Sequence, residues 1–251
     1  MSSPLPSSAP DPVPGPVPDP VPGPVPDPVP GPVPDPVPDS VPDSVLGLAP
    51  VVPVVVLEDA ADAVPLARAL VAGGLPAIEV TLRTPAAPDA IRAIAGEVPD
   101  AVVGAGTVIT PGQVGEAVDA GARFLVSPGW TDVLLGAMRA SGVPFLPGVS
   151  TASEVLALLE RGVREMKFFP ARAAGGTAYL ESLAGPLPRA RFCPTGGIGA
   201  DTAPDYLALP NVGCVGGSWM LPADAVAARD WDRIERLARR AAGLSAGARC
   251  R

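Results

Sequence analysis

Beyond Leu48 the chain switches back and forth between two hydrophobic periods. Short runs rich in β-branched and aromatic residues read as strands: Val51–Leu57, Ala77–Arg83, Ala101–Val108, Phe124–Pro128, Pro144–Val149, Glu165–Pro170, Arg191–Thr195 and Val212–Gly216. Between them, apolar positions recur every three or four residues, the mark of a helix with one buried face. Such segments cover Asp59–Ala72, Pro85–Glu97, Pro111–Ala120, Thr131–Ser141, Thr151–Arg161, Asp201–Leu209 and Trp231–Ala242. Helix starts agree with this parsing, because Ser150-Thr151-Ala152-Ser153-Glu154 offers an N-cap hydroxyl followed by an acid and Thr110-Pro111 puts proline at a first helical position. Eight strand–helix units over about 190 residues predict an α/β fold with a parallel sheet, a compact (β/α)8 TIM barrel over residues 49–243, with a doubly wound open sheet as the alternative.

The first 48 residues follow another pattern. From Asp11 an eight-residue unit, Asp-Pro-Val-Pro-Gly-Pro-Val-Pro, repeats about three times and then decays into Asp39-Ser40-Val41-Pro42. Proline at alternate positions removes backbone donors and forbids a helix or a central strand, so residues 1–48 are expected to be a disordered, extended Pro-rich arm. An entropic spacer is the plainer reading of it, a ligand for a proline-recognising domain the other. Residues 244–251 are expected to be a flexible tail.

Composition narrows the chemistry. The chain of 251 residues is 47% hydrophobic, and its net charge of −8 is uneven: the first 50 residues hold six aspartates and no basic residue, leaving 18 basic against 20 acidic residues in the rest. A nearly neutral body with an acidic arm argues against nucleic acid as a partner. There is no histidine, which excludes a Ser-His-Asp triad, a Cys-His pair and a histidine metal site; no metal and no cofactor are expected. Cys193, Cys214 and Cys250 lack C-x-x-C spacing and suit a reducing compartment. With neither a secretion signal nor an 18-residue apolar stretch, no membrane partner is expected, and the location is expected to be cytoplasmic.

Lys167 is the only lysine, beside seventeen arginines, and it lies in the apolar run Met166-Lys167-Phe168-Phe169-Pro170. An amine can lose its proton and attack a carbonyl, which a guanidinium cannot, and burial among apolar neighbours disfavours the ammonium form. A leftover surface lysine is the bland alternative. By the period-two rule Glu79, Thr81 and Arg83 would share one face of the second strand and point inward, either as a working group or as a buried Glu79–Arg83 pair. Gly104-Ala105-Gly106-Thr107 ends the third strand with room for a ligand and a hydroxyl at the rim. Glycine pairs after the last two strands, Gly196-Gly197 and Gly216-Gly217 followed by Ser218, suit a phosphate held on backbone N–H groups or are plain turns.

Taken with Ser127-Pro128-Gly129 and Pro147-Gly148-Val149-Ser150-Thr151, the stretches Glu79–Thr84, Gly104–Val108, Lys167–Ala171, Pro194–Ile198 and Gly216–Trp219 resemble the bacterial 2-keto-3-deoxy-6-phosphogluconate (KDPG) aldolases, which also act on 4-hydroxy-2-oxoglutarate (KHG). The resemblance runs from about Val51 to Ala242 with motif order kept. It implies a metal-independent class I lyase and a small keto-acid substrate, with Lys167 as Schiff-base lysine, Glu79 as general acid/base, and Arg83 and Thr107 on the substrate carboxylate. It further implies Gly196, Gly197, Gly217 and Ser218 around the substrate phosphate, and a homotrimer. A phosphate-gripping isomerase or epimerase, and a non-catalytic module acting through the arm, are the other readings.

Overall fold

The computed structural model describes residues 44–244. In chain order the elements are β1 (Val51–Val55), α1 (Ala63–Ala72), β2 (Ala77–Thr81), α2 (Ala87–Glu97), β3 (Val102–Gly106), α3 (Pro111–Asp119), β4 (Leu125–Val126), α4 (Asp132–Ala140) and β5 (Phe145–Leu146). They continue with β6 (Gly148–Val149), α5 (Ala152–Glu160), β7 (Glu165–Phe168), α6 (Gly176–Ala184), β8 (Arg191–Pro194), α7 (Ala203–Leu207), β9 (Val215–Gly217), α8 (Ala223–Ala227) and α9 (Trp231–Ala242). Every strand pairing is parallel, in two sheets of order β5-β4-β3-β2-β1-β9 and β6-β7-β8. This is an α/β fold with a curled parallel sheet clothed in helices.

The run expected as one strand at Pro144–Val149 is two, β5 and β6, divided at Pro147. Proline has no N–H for a ladder, and its carbonyl accepts instead from the Lys167 N–H at 3.0 Å. The second strand stops at Thr81, four residues after it starts and short of Arg83, because Leu82–Thr84 turn toward α2. The helix over Gly176–Ala184, which the sequence pattern leaves unassigned, is a nine-residue segment enclosed by Gly175 and Gly185. Pro111 opens α3 and Thr151 with Glu154 caps α5, as expected, and Thr110 with Gln113 adds a second reciprocal capping box at α3.

Alternation along the strands sorts the core into two layers. Ile78, Val80, Val103, Ala105, Leu125, Met166, Phe168, Phe192 and Val215 point to the helices and join the large apolar cluster there. Val52, Ala77, Phe124, Val126, Leu146, Cys193 and Cys214 point the other way, and strands of both sheets thus contribute to one small inner cluster. On the outside, α9 lies along α1, where Gly73 lets the chain approach closely: a Cβ at Gly73 would stand 2.8 Å from the Glu235 carbonyl oxygen.

The boundary expected at residue 48 is displaced. Residues 1–43 of the expected arm, and 245–251 of the expected tail, lie outside the described residues. Ser44–Leu48, however, belong to the body: Val45 and Leu46 are buried in the inner cluster, and the Ser44 hydroxyl donates to both oxygens of Glu165, at 2.7 and 2.9 Å. Glu165 opens β7, so this segment seats against the N-terminal ends of the strands. The physical cause is the sequence Val45-Leu46-Gly47-Leu48, where apolar side chains replace the proline alternation. Among the described residues no helix is long and apolar enough to cross a membrane.

Candidate active site

The C-terminal ends of β2 and β7 face one another from different sheets, and their inward side chains meet. Lys167 Nζ donates to Glu79 Oε1 at 3.1 Å, with the two side chains 4% and 3% exposed. Charges this deep persist only when each compensates the other's loss of water. The ammonium also lies 5.2 Å from the centre of the Phe169 ring, on the strand's outgoing loop. Against the carboxylate stands Gly106, the last residue of β3, where any Cβ would overlap Glu79 Oε1. The glycine is therefore what makes room for the carboxylate.

Arg83 is placed differently from the expectation. Lying past the strand end, it is exposed and does not pair with Glu79. Its Nε donates to Thr107 Oγ1 at 3.4 Å, and Thr107 itself holds a left-handed backbone with φ of 58°. The structure so brings the sequence candidates together in two pairs, Lys167 with Glu79 inside and Arg83 with Thr107 at the mouth. A keto acid whose carboxylate met the second pair would point its ketone down at the first.

The glycine pairs are neighbours too. An isolated bridge joins Thr195 to Gly216, so Gly196-Gly197 after β8 and Gly217-Ser218 at the end of β9 both lie just beyond it. Gly196 and Gly197 adopt φ of 104° and 75°, open to glycine at little cost. Gly197 and Ser218 nonetheless line different hollows, Ser218 one of about 670 Å³ with Val54, Leu57 and Leu221.

Sequence reasoning assigned no role to Thr195, which is buried at 6% exposure with its hydroxyl pressed against Gly216. Its signal was available: it stands two residues after the inward Cys193, which is in register with Lys167. Cys193 and Cys214 are buried thiols; the hydrogen bond with Cys193, and then burial, push the Cys214 thiol well above its ordinary value. Cys214 therefore keeps its proton, in keeping with a filling role.

Comparison with known proteins adds a second line of observation. The family profile described as "Aldolase: KDPG and KHG aldolase" matches residues 43–237. The KHG/KDPG aldolase of Escherichia coli K12 is 55% identical over 198 residues, 79% of this chain and 93% of that protein. A crystal structure of the Zymomonas mobilis ZM4 2-keto-3-deoxy-6-phosphogluconate aldolase with 3-phosphoglycerate superposes with a TM-score of 0.78 at 49% identity, over 82% of this chain and 97% of that one. The Legionella pneumophila KDPG aldolase, with pyruvate captured as a covalent carbinolamine, gives a TM-score of 0.77 at 48% identity, over 78% and 96% of the two chains.

Proposed function

This chain belongs to the KDPG and KHG aldolase family, and on that premise we propose that it is a class I aldolase cleaving 2-keto-3-deoxy-6-phosphogluconate to pyruvate and glyceraldehyde 3-phosphate, and 4-hydroxy-2-oxoglutarate to pyruvate and glyoxylate. The observation that carries the reading is the buried contact of Lys167 Nζ with Glu79 Oε1 at 3.1 Å. An isomerase, or an interaction module acting through the arm, would have no use for an amine and a carboxylate held in this way.

The residues divide the work as follows. Arg83 and Thr107 take the C1 carboxylate, which sets the C2 ketone above Lys167. Glu79 accepts a proton from the ammonium, and the free amine adds to C2 to give a carbinolamine. Glu79 returns that proton to the departing hydroxyl, water leaves, and a protonated imine remains. Glu79 next takes the C4 hydroxyl proton while the C3–C4 electron pair moves into the imine, releasing the aldehyde and leaving an enamine on Lys167. Protonation at C3 and addition of water then free pyruvate and the amine. Gly196, Gly197, Gly217 and Ser218 are assigned to the phosphate of the longer substrate, on backbone N–H groups at the rim.

The two sheets are read as arcs of one (β/α)8 barrel. In support, bridges Phe192↔Val212 and Thr195↔Gly216 tie β8 to the strand leading into β9, and β5 runs into β6 through Pro147. The enzyme is further read as a cytoplasmic homotrimer of the Entner–Doudoroff route, with Ile109, Val133 and Leu156 as exposed apolar residues for subunit contacts; sedimentation velocity tests the trimer. Borohydride added with pyruvate should fix one reduced pyruvate on Lys167, located by peptide mass spectrometry. A Lys167→Arg protein that still turned over at the wild-type rate would sink the mechanism.

A further inference from the structure

The hollow of about 670 Å³ that Ser218 lines is linked to the reaction centre through β1. On one side of this strand Val54 is in register with Glu79, and on the other Pro53 is in register with Gly217, the residue before Ser218. Val54 and Val56 alternate with Val55 and Leu57, which join the core under the helices, so the first two face the interior and its mouth. Both line the hollow, and Val56 is 44% exposed there. The end of the substrate assigned to Ser218 therefore passes along this wall.

Negative charge is in excess at the wall. Glu58, Asp59 and Asp62 line the hollow against one basic residue, Arg229. The Arg229 Nε lies 2.7 Å from Asp62 Oδ1 and its Nη2 3.8 Å from Asp59 Oδ2, so two carboxylates already share that guanidinium. Glu58 is exposed and makes no ion pair among the described residues. The two substrates differ in what they bring near it. A phosphomonoester carries about −1.5 to −2 near neutrality, whereas the second carboxylate of 4-hydroxy-2-oxoglutarate is a single charge bonded directly to C4, beside the bond that breaks. We propose, on the aldolase reading above, that Glu58 is a specificity-determining residue: its carboxylate repels the phosphorylated end of the longer substrate and shifts preference toward the shorter, unphosphorylated one. Glu58 acts through its field and touches no reacting group.

The test measures kcat/KM for 2-keto-3-deoxy-6-phosphogluconate and for 4-hydroxy-2-oxoglutarate with full-length wild type, Glu58→Gln, Glu58→Lys and Asp119→Lys, at about 0.01 M ionic strength, where the Debye length is roughly 30 Å. Asp119 is exposed at the end of α3, from which the chain returns to the N-terminal ends of the strands, so its reversal changes net charge equally but away from the hollow. One unit charge about 10 Å from a dianion in water is worth roughly threefold. The ratio of kcat/KM for the phosphorylated over the unphosphorylated substrate should therefore rise about threefold in Glu58→Gln and about tenfold in Glu58→Lys. It should keep its wild-type value in Asp119→Lys, and the gains should vanish near 1 M salt, where the Debye length is about 3 Å. Both substrates are read on one preparation, so the ratio does not depend on how much of it is folded. A ratio within about 1.5-fold of wild type in Glu58→Lys, or an equal rise in Asp119→Lys, would overturn the role of Glu58 and leave the aldolase reading standing. A wild type that released pyruvate from neither substrate would instead remove that reading, and the role of Glu58 with it.

Discussion

Replacing Gly106 by alanine isolates the geometry on which the chemistry depends. The new methyl group would stand 2.5 Å from Glu79 Cγ and 2.7 Å from Cδ, and closer still to Oε1. The Gly106 backbone is not in the left-handed region, so alanine is accepted there and the whole conflict falls on the carboxylate. Restoring ordinary contact at 3.4 Å requires Cγ to retreat by about 0.9 Å, which disturbs the 3.1 Å contact of Oε1 with Lys167 Nζ. A misplacement of about 1 Å in a reacting group costs roughly 100-fold in rate, which is about 2.7 kcal/mol of barrier. Overpacking of the interior should cost a further ~1–3 kcal/mol of stability. The assay is pyruvate release coupled to lactate dehydrogenase, read as kcat and KM beside a thermal melt. The same substitution in a Glu79→Asp background supplies the control, because the shorter side chain withdraws from the methyl group and the added loss should fall below about tenfold. A folded Gly106→Ala protein with kcat within about threefold of wild type, or strict additivity with Glu79→Asp, would refute the argument.

Lys167→Met should leave the Glu79 carboxylate buried without its partner and lower stability by about 3–5 kcal/mol in urea unfolding, whereas Lys167→Met/Glu79→Gln should recover much of the loss; equal destabilisation of single and double variants would contradict the pairing. At Glu154 burial pushes the carboxyl up, but four hydrogen bonds from Ser150 and Thr151 outweigh it and hold the group below its ordinary value. A lowered folded value stabilises above the unfolded pKa, so the advantage of wild type over Glu154→Gln, about 1 kcal/mol as for other caps, should be full near neutrality. It should shrink as pH falls through the acid range, and a melting-temperature gap constant from pH 7 to pH 3 would show that the charge contributes nothing. Deleting residues 1–43 should leave kcat/KM within twofold, while deleting 1–48 also removes the buried Val45 and Leu46, worth about 1.5–3 kcal/mol each, and should lower the melting temperature; equal stability of the two truncations would contradict the seating of Ser44–Leu48.

The parallel α/β plan was legible because β-branched runs and helical periods follow one another without interruption, and the solitary lysine among arginines marked β7 at once. What misled was the assumption that a strand's period continues to the end of its apolar run. Arg83 is two residues past Thr81, yet the chain has already turned, so it reaches the mouth and meets Thr107 where the alternation would have buried it beside Glu79. Pro147 hid a division for a similar reason: composition reads straight through it, but a residue without an N–H lets β5 and β6 pair with different neighbours. From sequence alone Thr195 is given no role, and Gly106 is read as room for a ligand, not for a side chain, because the importance of both is spatial. Nothing in the local sequence says that Gly106 abuts a carboxylate contributed 27 residues earlier, and only the register Thr81↔Gly106 brings β2 and β3 level there.

The placement of the polar pair follows from how the interior is filled. From the N-terminal strand ends upward, Val45, Leu46, Val52, Ala77, Phe124, Val126, Leu146, Cys193 and Cys214 pack as an apolar plug, with Ser44 satisfying the one carboxylate, Glu165, that opens β7. Water has no polar path through such a plug, and among the described residues the polar groups nearest the strand ends above the pair are those of Arg83, Thr107 and the glycine turns. An amine left dry from below and faced by a single carboxylate has one proton acceptor within reach. Under the proposed mechanism, substrate entering from above would find the Lys167 amine and the Glu79 carboxylate already in contact, with Arg83 and Thr107 at the mouth to orient it. The same arrangement gives the segment Ser44–Leu48 a part in shaping the site although it lies apart from Lys167 and Glu79: without it, the apolar interior beneath the pair would open to solvent.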